Sequence, residues 1–384
     1  MSQFSLDEFM VKRGGSVDPS RFVDETFELF SIPAFDTGIP EIVEGRNIGS
    51  SKKCIEPNDI LLSKIVPHIR RCCVVPPKGK YRQIASGEWI QFRSDQLYSQ
   101  YLKFFLISDT FHWQFMHTVS GVGGSLMRAS PSLVAKIKVP VPPIAEQQKI
   151  ASILDAADNL RQKDQQLIEK YTALSQSLFL EMFGDPVSNP MGWDKKPLKD
   201  VGIVRTGNTP ARENLEYFGT HIEWIKTTNI NTPSMYLTQS EEYLSEEGLK
   251  VGRSVNAGSL LVTCIAGSKS VIGNVSIADR KVAFNQQINS FTPHEGNVLF
   301  FYSLFKAGKK HIQSFSTDSM KGMINKSKFE SIDFIIPPIE LQNQFAERIL
   351  AIEAQKQLAL ASLEKSAALF NSLLQRAFKG ELTV

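Results

Sequence analysis

The sequence predicts an α/β (α+β) chain built twice: two variable domains, each followed by a long helix, with the two helices pairing as a coiled coil. Three observations predict it. A segment beginning at Pro142 recurs at Pro337, and both copies run about 40 residues without Gly or Pro. The stretches ahead of each copy are short Val, Ile, Phe and Tyr runs broken by Gly, Pro, Asn and Ser, the pattern of mixed domains with strands and loops.

The repeat is a duplication giving the chain a pseudo-twofold character. PPIAEQQKIA at 142 and PPIELQNQFA at 337 lie 195 residues apart. An ungapped comparison of 142–183 with 337–378 finds 14 identities in 42 positions, whereas average usage gives about 6% by chance. The repeat divides the chain into a first domain at 1–141, a first helix at 142–184, a second domain at 185–336, and a second helix with its tail at 337–384.

In chain order, the first domain carries EPNDILLSKIVP from Glu56, a polar turn leading into a short apolar strand, then a helical stretch over 98–117. The first long helix begins after Pro142 and Pro143, because Pro is favoured at a helix start. Its positions Ile150, Leu154, Ala157, Arg161, Asp164, Ile168, Tyr171, Ser175, Leu178 and Met182 step by four and three. The second domain repeats the turn and strand as NAGSLLVTCIAG from Asn256 and has a helical stretch over 297–313. The second long helix repeats the stripe with Phe345, Ile349, Ile352, Lys356, Ala359, Leu363, Ser366, Phe370, Leu373 and Ala377.

One stripe per helix suits a two-helix coiled coil; the alternative is two separate amphipathic helices, each on its own domain. A domain-sized connection leaves parallel and antiparallel pairing open. Antiparallel is favoured, because Asp164 and Lys356 interrupt their stripes near the middle and would then oppose one another and fix register. Further apolar positions, Leu160, Leu167, Leu174, Leu360 and Leu369, would be left for a partner to cover, which predicts poor solubility alone.

At 384 residues the chain is too long for one ordinary core. No apolar stretch is long enough to span a bilayer, and MSQFSLDEFMVKRGG lacks a signal-peptide core, so a cytoplasmic location is expected. Cys54, Cys72, Cys73 and Cys264 form no CxxC pair and read as free thiols, and six scattered histidines offer no ligand spacing. No metal and no cofactor is expected.

The net charge of +3 is only weakly basic, but its distribution is uneven. Nine Lys or Arg face two acids between Arg46 and Arg82, and six lysines face two acids between Phe300 and Glu330. Each half thus has its own basic stretch. Catalytic motifs are missing: no GxxxxGK loop, and no (D/N)PP(Y/F) tetrapeptide, since Asp18-Pro19, Asp185-Pro186 and Asn189-Pro190 are not followed by a second Pro. The glycines of SGVGGS (Gly121, Gly123, Gly124) read as a loop, and His294 and Ser290 form no triad. The chain reads as a binder, not an enzyme.

The paired signatures VPVPPIAEQQKIASIL and FIIPPIELQNQFAERI, the tail SLLQRAFKGELTV, and the motifs IPEIVEGRNIGSSKK, ILLSKIVPHIR and FNQQIN resemble the specificity subunit of type I restriction-modification systems over essentially the full length. The resemblance implies two target-recognition domains that each read one half of a split double-stranded DNA site. It also implies two spacer helices that dock two methyltransferase subunits, with translocase and nuclease subunits binding the resulting complex. One departure stands out: the second domain opens with GWDKKPLKDVGIVRTGNTP, whereas the first begins at FMVKRGG without an equivalent tryptophan, so the two should read different sequences.

A helix over 147–182 would be about 54 Å long, the length of about 16 stacked base pairs, and could act as a ruler between two half-sites. Phosphate contacts are expected from the basic stretches, and base contacts from polar side chains on loops. The candidate DNA-binding residues are Lys64, His68, Arg70, Arg71, Arg82 and Arg128 in the first domain, and Thr206, Asn208, Thr209, Arg212, Lys269, Lys321 and Lys326 in the second. Gln286 and Gln287 are read as structural amides beside a strand. The rival reading is a duplicated coiled-coil scaffold that organises two partner copies without reading DNA.

Overall fold

A computed structural model describes residues 2–121, 127–317 and 322–382. The chain forms two compact units: Met1–Asp164 with Ser362–Val384, and Gln165–Ala361. Each long helix therefore belongs partly to each unit. The two helices run Ile144–Phe183 and Ile339–Lys379.

In the first unit a five-stranded sheet has the order Ser16–Val17, Lys52–Cys54, Arg82–Ala85, Thr26–Phe30, Glu41–Glu44; only Thr26–Phe30 and Arg82–Ala85 run parallel. Beside it, Ile60–Ser63 lies antiparallel between Cys72–Val74 and Trp89–Phe92. The second unit repeats this plan. Phe218–Ile225 runs parallel to Val282–Phe284 within one four-stranded sheet. In the other, Ser259–Thr263 lies antiparallel between Val275–Ala278 and Ile288–Pro293. The central apolar runs Ile60–Ser63 and Ser259–Thr263 are buried throughout, which is why they read as continuous rather than alternating strands.

Both predicted helical stretches are present but broken in two. Ser108 ends Ser99–Ile107 and caps Asp109–Met116 by accepting from Phe111 N, and Gly308 separates Val298–Ala307 from Lys309–Ser314.

All twenty stripe positions read from the sequence are buried or half-buried, and the helices are antiparallel within each unit. In the first, Arg161 lies over Phe370 and Asp164 accepts a 2.7 Å hydrogen bond from Ser366. In the second, Phe183 packs on Phe345 and Arg348 lies beside Met182. The expected Asp164–Lys356 pairing is not made, because Asp164 has Ser366 and Lys356 donates to the Pro233 carbonyl at 3.0 Å. Aromatic docking sets the register instead. Phe378 packs on Tyr101 and Phe105 in the first unit, and Phe183, its counterpart in the duplication, packs on Phe300 in the second.

The repeated glutamine of the PPI signature has a matching role in both copies. Gln147 accepts from Tyr98 N at 2.8 Å and donates to the Gln96 and Pro142 carbonyls, satisfying the start of helix Ser99–Ile107. Gln342 accepts from Asn297 N at 2.9 Å and donates to the Pro337 carbonyl, at the start of helix Val298–Ala307. Both side chains are buried. Among the described residues no helix is long and apolar enough to cross a membrane, no His, Cys, Asp and Glu cluster could hold a metal ion, and the four cysteines are free.

Candidate nucleic-acid interface

Each unit has a cleft at the same place in the repeat, and each cleft is lined by three cations. The first is lined by Lys12, Lys53 and Lys64, the second by Arg205, Arg253 and Lys326 together with Thr206. Strand pairing shows the correspondence. Met10 bridges Phe92 as Val204 pairs with Phe291, and Lys53 pairs with Ala85 as the Arg253 carbonyl accepts from Phe284 N. A short helix closes each cleft, Pro131–Val134 in one and Lys326–Glu330 in the other.

In the second cleft the positions of the side chains follow from the local sequence. Strand Gly202–Thr206 buries Val204 and exposes Ile203 and Arg205, the ordinary alternation of a strand with one wet face. The chain then turns tightly against its neighbour: Gly207 N donates to the Ile288 carbonyl and Asn208 N to the Phe284 carbonyl. A Cβ at 207 would lie 2.2 Å from the Asn285 carbonyl oxygen, so only glycine fits. The polar residues around this turn are held by the FNQQIN motif and its surroundings. Thr206 donates to Asn289 Oδ1 at 2.7 Å, Thr209 donates to Gln286, and Asn208 donates to the Val251 carbonyl at 2.8 Å. Gln287 pairs with Asn285, as expected of a structural amide.

The cations are partly compensated. Lys12 pairs with Asp7 at 2.7 Å, Lys64 with Glu88 at 3.6 Å and Lys326 with Glu330 at 3.3 Å, while Arg253 donates to the Thr206 carbonyl. Burial, and after it the Lys64 charge, holds the Lys53 ammonium below its ordinary value. A phosphate entering that cleft would relieve the crowding of positive charge.

Of the residues expected from sequence, Lys64 lies in the first cleft and Thr206 and Lys326 line the second, with Asn208 and Thr209 on the turn beside Thr206. The other described candidates line neither cleft, although Arg128 shares the Glu88 carboxylate with Lys64 at the edge of the first. Arg71 is buried in a forked pair with Asp36 at 2.6 and 2.8 Å, and Arg70 pairs with Asp109. Arg82 covers Phe22, Arg128 pairs with Glu88, and His68 is exposed. Arg212 lies over Phe218 and Trp224 while paired with Glu242. Lys269 opens the short turn Lys269–Val271, whose first carbonyl accepts from Gln313. Lys321, Gly123 and Gly124 lie outside the described residues. Lys12, Lys53, Arg205 and Arg253 were not singled out from sequence. Lys53 sits within the basic run and Arg205 within VRTGNTP, but Lys12 and Arg253 join their clefts only through strand pairing.

Comparison with known proteins places this architecture. The chain is 28% identical over 199 residues to the specificity subunit of type I restriction enzyme HindI from Haemophilus influenzae, which is 50% of this chain and 42% of that one. It is 29% identical over 163 residues to the MjaIX specificity subunit of Methanocaldococcus jannaschii, 41% of this chain and 37% of that one. The matched part thus spans about two fifths of the length of these relatives. Among solved structures, the S subunit of a type I restriction-modification system from M. genitalium shares the fold with a TM-score of 0.59 at 12% identity, covering 98% of this chain and 96% of that one. A chain from a study of assembly and conformational transition of the type I R-M system gives 0.55 at 17% identity, covering 99% and 98%. The domain described as "Type I restriction modification DNA specificity domain" matches twice, over residues 40–170 and 190–365, one match for each copy of the duplicated plan. With both halves matched and the fold shared along its length, the chain belongs to the type I restriction-modification DNA specificity family.

Proposed function

We propose that this chain is the non-catalytic DNA-recognition subunit of a type I restriction-modification complex, each unit reading one half of a bipartite site in double-stranded DNA. The observation that carries this reading is the pair of clefts at matching places in the duplication, each lined by three cations on a scaffold of loops and strand ends. Lysine and arginine supply phosphate attraction, and Thr206, Asn208 and Thr209 supply short polar groups of the kind that reach base edges. Methyl transfer and cleavage would belong to two methyltransferase subunits and to restriction and translocase subunits. The half-exposed leucines Leu160, Leu167, Leu174 and Leu369 offer those partners an apolar face on the long helices.

The test is a salt titration of DNA binding by the chain with its methyltransferase partner. Replacing Arg205, Arg253 and Lys326 by alanine should reduce the slope of log affinity against log salt by about 2 to 3. The Lys12, Lys53 and Lys64 triple should lower the slope in the same way, both triples weakening methylation at an unchanged target, whereas T206A and T209A should relax specificity in one half of the site only. Unchanged slopes in both triples would remove the clefts from the interface, and a complex that binds no DNA at low salt would favour the scaffold.

A further inference from the structure

The second unit contains another group of cations, apart from the cleft. Lys356 on the second long helix is 4% exposed; its ammonium meets the Pro233 carbonyl at 3.0 Å and the Glu353 carboxylate at 3.7 Å. It shares a cavity with Lys306, Tyr302 and Gln176, and a second cavity lined by those same three residues also has Lys309, Asn274 and Thr232. Lys306 and Lys356 thus share one cavity with a single carboxylate, and Glu353 also accepts from Gln357 at 2.7 Å.

Lys306 is the anomalous member. Its neighbour is the Tyr302 hydroxyl at 3.4 Å, and among the described residues it forms no ion pair. Burial, and next the charge of Lys356, pushes its ammonium below the ordinary value, and burial does the same to Lys309. Among the described residues Lys309 meets a neutral acceptor alone, Asn274 Oδ1 at 2.5 Å, and the Thr232 hydroxyl is buried without a partner.

The duplication separates what is structural here from what is extra. Lys356 and Glu353 repeat Arg161 and Asp158, which pair at 2.6 Å one duplication earlier, so that pair belongs to the common scaffold. Lys306 has no such counterpart: aligning helix Ser99–Ile107 with Val298–Ala307 places Ile107 at its position. An added, largely buried lysine beside other lysines calls for an anion.

We propose that the cavity shared by Lys306 and Lys309 forms a binding site for a phosphate group, held by those two ammonium groups with the Tyr302 and Thr232 hydroxyls and the Gln176 amide. The donors are ammonium, hydroxyl and amide groups around one space, which matches an oxyanion with several acceptor oxygens better than a planar carboxylate. The group could be free phosphate or a phosphodiester of bound nucleic acid, and one experiment separates these sources.

The full chain with its methyltransferase partner is melted in sodium phosphate and in sodium chloride at matched ionic strength, as wild type, K306M and K306R. If free phosphate binds, wild type and K306R melt higher in phosphate than in chloride and K306M loses that difference. Phosphorus NMR should then show phosphate affinity about tenfold or more weaker in K306M, the size of one lost charge-assisted contact. If the occupant is a DNA phosphate, the melting difference is absent, but K306M lowers the salt slope of DNA binding by about 1 and K306R restores it. A phosphate increment equal in wild type and K306M, or no phosphate increment together with an unchanged DNA salt slope, overturns the site.

Discussion

At Gly207 the space for a side chain is closed by backbone, with the Asn285 and Phe284 carbonyl oxygens 2.2 and 2.4 Å from where a Cβ would stand. G207A must therefore push apart the turn and the strand beneath it. We expect a loss of about 1 to 3 kcal/mol in chemical denaturation, together with weaker DNA binding as Thr206 and Asn208 shift. The buried glutamines make a second residue-scale case. Q147A leaves the Tyr98 N–H and two carbonyls without their partner, and Q342A does the same to the Asn297 N–H and the Pro337 carbonyl, so each should cost about 1 to 3 kcal/mol in denaturant unfolding. The repetition of these glutamines is visible in sequence. Their task is not, because Gln147 serves a backbone 49 residues away. For the same reason Arg71 and Arg212 read as exposed cations until Asp36 and Glu242, far off in the chain, are seen to hold them.

Among the elements, the long helices were the most legible, since their period of four and three residues is imposed by one buried stripe and shows directly as burial at all those positions. Register was not legible: it depends on where Phe183 and Phe378 dock, and those contacts involve residues distant in sequence. F183A and F378A should each lose about 3 to 5 kcal/mol, the first in the second unit and the second in the first unit, as read by hydrogen exchange resolved along the chain. The breaks at Ser108 and Gly308 were missed because apolar residues resume at a helical distance beyond each, at Phe111 and Ile312. A pH effect belongs to the strand pair Phe218–Ile225 and Tyr243–Leu244, beside which Glu242 accepts first from Lys226 and then from Arg212, holding its carboxyl below the usual range. A lowered folded value means that this contribution is complete above the unfolded value near about 4.3 and is lost as pH falls through the folded one. E242Q should therefore flatten the acid limb of the melting temperature between about pH 5 and pH 3.

For the molecule as a whole, the duplication carried most of what could be read from sequence, since both long helices, both mixed sheets and the matching clefts follow from one plan used twice. The clefts themselves were only half legible. Lys64, Thr206 and Lys326 stood out, whereas Lys12 and Arg253 come into place only through strand pairing. If helix length sets the gap between half-sites, four residues added to each long helix lengthen it by about 6 Å. The methylated site should then gain about two base pairs between its halves, and an unchanged gap in methylation mapping would refute the ruler. A different consequence attaches to the division of the chain, in which residues from Ser362 onward complete the core begun by the first 164. As the polypeptide leaves the ribosome, the earliest-made unit must wait for the last-made segment, about 10 to 40 s later at 5 to 20 residues per second, while the unit made between them can close first. Birth order and folding order are thus reversed, and a nascent chain halted near Ala361 would release a finished middle and an unfinished beginning.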